Sequence, residues 1–238
     1  EGKENKSACI NQYIASINKI LGEKDTKIKD NILKSTEDIK TAITIYEKLN
    51  DKLQITLENF MSLLKEKLRT RIENEIIYYK KYVKDYYNYS LDKTPQDYPG
   101  LYIVLAENKS NNSNYYKFVL KLELAPELIG CLGFIKSDED IKETIPFVYF
   151  SQVKKNSSGL YNKCIKGIKN LEIEDKLIEN NKAYWCYIKN SKGEIINFKD
   201  ISLSNKALLS LIDEETLKEE VKNIATYISN EIVKNMEI

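Results

Sequence analysis

The sequence predicts an α+β protein. A long-helix hairpin or bundle comes first, followed by a mostly antiparallel sheet covered by C-terminal helices. Three observations predict it. Up to Pro95, apolar residues recur every three or four positions with no proline among them. From Leu101 they fall instead into short alternating runs set off by Asn, Ser, Gly and Pro, and after Asp213 the helical spacing returns. Spacing of three and four collects side chains on one stripe of a helix, and alternation collects them on one face of a strand. Pro95 and Pro99-Gly100 punctuate the change, so a helical arm is expected over 1–95 and an α+β domain over 96–238.

In the arm, Ile10, Tyr13, Ile14, Ile17 and Leu21 form a first stripe, with Gly22 as a stop and Asp25 as a new N-cap. The pattern resumes through Ile28, Ile32, Ile39, Ile43, Tyr46, Leu49 and Leu53. It runs on through Leu57, Phe60, Leu64, Leu68, Ile72, Ile76, Tyr79 and Val83. A single helix over 26–89 would be about 96 Å long and would need a partner for its stripe. Asn50-Asp51 is the weakest point, where a break would give an antiparallel hairpin.

In the second part, Leu101–Glu107 and Tyr115–Ala125 read as a hairpin around an Asn-rich loop. On its second strand Phe118, Leu120, Leu122 and Leu124 share one face. Lys117, Val119, Lys121 and Glu123 share the other, which predicts one core face and one polar face. Ile129–Lys136 is a third strand whose Gly130 and Gly133 mark a bulge or a close approach. Ser137 or Asp138 is placed to cap a helical segment interrupted at Pro146. Ala183–Lys189 and Glu194–Phe198 form a second hairpin, with Trp185 as a core anchor. A helix near Leu203–Ile212 precedes a longer one, capped by Asp213 and striped by Leu217, Val221, Ile224, Ile228 and Ile232.

Composition limits the chemistry. The 238 residues carry 37 basic and 36 acidic groups, a net charge of +1, which is not the strongly basic body of a dedicated nucleic-acid binder. With no histidine, Ser-His-Asp and Cys-His catalysis and His-ligated zinc are excluded. The apolar fraction of 42% supports a real core, and no apolar run is long enough for a membrane-spanning helix. Cys9, Cys131, Cys164 and Cys186 contain no CxxC pair and read as reduced and buried. No cofactor or metal is implied, and a cytoplasmic location is expected. The chain begins Glu1-Gly2-Lys3 without an initiator methionine, so an exported or surface protein of an AT-rich bacterium is the alternative; it would predict disulfides.

Three sets of residues are candidate sites. Lys65, Lys67, Arg69, Arg71, Lys80, Lys81 and Lys84 interleave with Tyr78, Tyr79, Tyr82, Tyr86, Tyr87 and Tyr89. Basic groups among aromatics can hold phosphates and stack bases, whereas the plain alternative is a solvated helix face with packed tyrosines. Lys121 and Glu123 lie on the polar sheet face, a surface for a partner or for water. Glu174-Asp175-Lys176 spells the Glu-x-Lys of Mg²⁺-dependent nucleases, in which carboxylates hold the ion and the lysine orients water; solvated charge is the alternative.

The order of elements over 60–238 resembles the C-terminal region of prokaryotic PD-(D/E)XK-superfamily proteins linked to phages and defence. A helical pair leads into Leu101-Tyr102-Ile103-Val104-Leu105, then Phe118-Val119-Leu120-Lys121-Leu122-Glu123-Leu124. Ile129-Gly130-Cys131-Leu132-Gly133-Phe134-Ile135 follows, then Tyr184-Trp185-Cys186-Tyr187 and a terminal amphipathic helix. The resemblance rests on layout and covers about three-quarters of the chain. It implies an accessory sensing part whose nuclease core would lie upstream. The expected function is therefore a non-enzymatic recognition module for a protein partner, or for nucleic acid through Lys65–Lys84, with a Mg²⁺-dependent nuclease as the alternative.

Overall fold

The computed structural model describes residues 36–78, 100–108, 115–124, 126–136, 147–171, 177–200 and 204–236. They form a long N-terminal helix, a six-stranded antiparallel sheet and C-terminal helices. The helix α1, Thr36–Arg69, runs 34 residues without a break at Asn50-Asp51. Asn and Asp lower helix propensity by only about 0.7 kcal/mol each. The stripe of Leu53, Leu57, Phe60, Met61, Leu64 and Leu68, all buried, begins just beyond them and holds the helix in place. The expected helices and caps at residues 10–25, and the segment at 137–146, lie outside the described residues.

The sequence pattern overruns the end of α1. The Arg71 and Ile72 amides close the last turn on the Leu68 carbonyl at 2.9 and 3.0 Å. Ile76 then belongs to β1, Ile76–Tyr78. Ile72 and Ile76 are both buried and fit helical spacing and a strand equally well, so the pattern alone could not locate the end. The neighbouring strand decides it. The Asn74 side-chain amide donates to the Val104 carbonyl at 2.8 Å, and the Val104 amide donates to the Glu75 carbonyl at 2.9 Å. These bonds capture the chain on the sheet edge.

The remaining strands are β2 Gly100–Glu107, β3 Tyr116–Leu124, β4 Leu128–Lys136, β5 Ile178–Glu179 and β6 Ala183–Tyr187. Their spatial order is β1-β2-β3-β4-β6-β5. The β2–β3 hairpin matches the expected one, with a bulge at Leu105 between the Val104 and Ala106 pairings. The second expected hairpin is shorter than its sequence pattern. Its turn forms, with Gly193 at φ 77° and the Asn190 side-chain oxygen accepting from the Lys192 and Glu194 amides. The returning segment makes only isolated bridges, Lys189 to Ile195 and Asn197 to Glu127. β6 pairs with β4 on one side and with the two-residue β5 on the other.

Helices α2, Phe150–Asn156, and α3, Ser158–Lys169, follow β4, and α4, Lys206–Ser210, precedes α5, Glu214–Tyr227. The Asp213 carboxylate accepts from the Thr216 amide and hydroxyl, the N-cap its position predicts. Leu217, Val221, Ile224, Ile228 and Ile232 are all buried, the last two in a π-helical turn, Ile228–Lys234. The stripe of α1 lies against α5, and both share one core with Phe118, Leu120, Leu122 and Leu124 of β3. No described helix is long and apolar enough to cross a membrane.

Gly133 makes the close approach expected of a strand glycine. A Cβ there would lie 2.6 Å from a Phe147 ring carbon and 2.9 Å from the Lys182 carbonyl oxygen. At Gly159, in the first turn of α3, a Cβ would meet nothing within 4 Å. Urea denaturation is expected to show Gly133→Ala destabilised, and Gly159→Ala unchanged or stabilised by up to about 1 kcal/mol. Phe60→Ala, which empties a site in the centre of the core, is expected to cost about 3–5 kcal/mol in the same measurement.

Candidate functional site

The sheet has two faces, and helices α1 and α5 occupy only one. Alternation turns Ile77, Tyr102, Lys121, Cys131, Trp185 and Ile178 to the second face. Strand register aligns these six as one row across the whole sheet. The row is closed at one end and open at the other. Tyr102 is fully buried and Lys121 is 3% exposed, whereas Ile178, on the edge strand, is 48% exposed. Tyr102, Val104, Val119 and Ile135 form a small second core there, joined by Ile77 and Phe147.

The expected polar face of β3 is thus not open. Lys121 Nζ lies 2.7 Å from Glu123 Oε2, both residues are buried, and the ammonium sits 5.7 Å from the Tyr102 ring centroid. Alternation placed both on this face correctly, but it could not show that the face is covered. Burial raises the Glu123 carboxyl above its ordinary value, and the adjacent Lys121 ammonium pulls it back only in part. A buried pair of this kind recovers little net stability, because desolvation opposes the attraction. Lys121 and Glu123 serve each other, and neither is presented to a ligand at the surface.

Cys131 stands beside the pair, and its thiol is pushed up to about 12 by burial and by the Glu123 charge. Burial does the same to Cys164, also to about 12. Nucleophilic cysteines need the opposite shift. Cys131, Cys164 and Cys186 all carry reduced thiols.

The open end of the row has a different chemistry. Trp185, expected as a core anchor, is half-buried on the second face instead, with Tyr187 packed edge-to-face at 5.5 Å between ring centroids. Tyr187 aligns with Ile129 of β4, also half-buried. Beyond the turn, Ile196 and Phe198 enter the main core, and Ile195, immediately before Ile196, faces the other way, 40% exposed. Ile178, Trp185, Tyr187, Ile129 and Ile195 therefore line the β4–β6–β5 half of this face. Strand β5 at Ile178 leaves no signal in the sequence, because two residues are too short for a period to register.

The basic stretch divides. Lys65, Lys67, Arg69 and Arg71 sit at the C-terminal end of α1, while Lys80, Lys81 and Lys84 lie outside the described residues. The Arg71 guanidinium donates to the Lys67 carbonyl at 3.1 Å, and Lys67 Nζ lies 3.5 Å from Glu66. Cations here satisfy terminal carbonyls and oppose the negative end of the helix dipole. Burial, then the Arg69 charge, lowers the Lys65 pKa. Glu174 and Lys176 also lie outside the described residues. Among those described, no group of three or more Cys, Asp or Glu could hold a metal ion.

Other carboxylates hold the fold. Glu220 on α5 is buried and accepts from the Ser191 amide at 2.9 Å and from the Ser191 hydroxyl, which fixes the 190–193 turn. Glu107 accepts from the Tyr115 hydroxyl at 2.5 Å, a bond that pushes Tyr115 up to about 12. Glu75 pairs with Lys117 at 2.9 Å.

No family model, curated protein or solved structure matches the chain.

Lys121→Met strands a buried carboxylate and is expected to cost about 3–5 kcal/mol at neutral pH. A carboxyl whose pKa is raised in the folded state costs stability above that value, and the cost is relieved as pH falls towards the unfolded value of 4.5. Urea unfolding of Lys121→Met should therefore recover on acidification from neutrality towards pH 5. The double variant Lys121→Met/Glu123→Leu should be at least as stable as the wild type. A double variant as weak as the single one would show that the pair is a net stabiliser. Thiol titration with an aromatic disulfide should find Cys131 and Cys164 unreactive in the native protein at pH 8 and reactive once it is unfolded.

Proposed function

We propose that the chain is a non-enzymatic recognition module that binds a protein partner through the β4–β6–β5 half of its second sheet face. One observation carries this reading: two strongly exposed isoleucines, Ile178 and Ile195, flank the half-buried Trp185 and Tyr187 on one surface. Tryptophan and tyrosine are enriched among residues that dominate protein–protein binding energy. Exposed apolar residues gathered together, rather than scattered, mark association surfaces. On the same face, strand β4 carries Cys131 and Ile129 between the buried Lys121–Glu123 pair and the aromatic pair.

Aspartate at Ile178 and Ile195 tests the reading, because exposed positions tolerate it within about 0.5 kcal/mol each. Wild type and Ile178→Asp/Ile195→Asp are immobilised side by side, and captured proteins are identified from extract of the source cells. A specific partner held by the wild type and reduced at least tenfold with the variant is the expected result. Identical capture by both would overturn the choice of surface. Binding of short DNA or RNA that weakens steeply between two salt concentrations, and survives in the variant, would replace the reading with phosphate contact at Lys65, Lys67, Arg69 and Arg71. Mg²⁺-dependent hydrolysis lost in Glu174→Ala would replace it with the nuclease.

A further inference from the structure

We draw no further inference here: the strongest candidate, the polar cleft between the end of β2 and the N-terminus of α3, lined by Asn108, Asn156, Ser157, Ser158 and Lys163, rests on a helix N-terminus, and its one buried polar side chain, Ser157, already accepts from Asn108 while Asn156 donates to Tyr116, so nothing in the structure points to a ligand.

Discussion

Strand β3 is buried on both faces, and the rest of the fold follows from that constraint. On one face Phe118, Leu120, Leu122 and Leu124 meet α1 and α5, an apolar contact that needs no further support. On the other, the same strand carries Lys121 and Glu123, which no apolar contact can satisfy. They neutralise each other within β3 itself, two residues apart at 2.7 Å. Because their partners lie in the strand, this face needs no polar group from a covering element. Tyr102 closes over the ammonium from one neighbouring strand, and Cys131 stands beside the pair on the other.

That arrangement also sets what the second face can do. Its ionic half is closed, and the Cys131 thiol beside the pair is shifted away from the thiolate that nucleophilic chemistry requires at neutral pH. Its other half ends on the two-residue edge strand β5, too short to cover what it borders. The aromatic pair therefore sits between a rigid interior and solvent, where a docking partner could bury Ile178, Trp185 and Tyr187 without rearranging the strands.

Much of this was legible in the sequence. The alternation in β3 separated the two faces residue by residue, and the Asp213 cap and the stripe from Leu217 to Ile232 located the last helix. Three features were not legible, each for a physical reason. Asn50-Asp51 looked like a break because propensity is local, whereas the buried contacts that hold α1 straight come from α5. The end of α1 was hidden because Ile72 and Ile76 fit both periods, and the hydrogen bonds that choose between them come from Val104, far along the chain. The accessibility of Lys121 and Glu123 depended on what lies over the sheet, which alternation within one strand does not encode. The β4–β6–β5 half of the face escaped because it is assembled from three strands and the segment at Ile195, none of which carries a motif.

Trp185 is the only tryptophan in the chain, so its fluorescence reports on this face alone. The most direct measurement is acrylamide quenching of that emission in the free protein and again with the captured partner bound. Quenching intermediate between a free indole and a buried one, falling sharply on partner binding, is the result the account predicts. An indole inaccessible from the start, or one whose quenching the partner leaves unchanged, would contradict it.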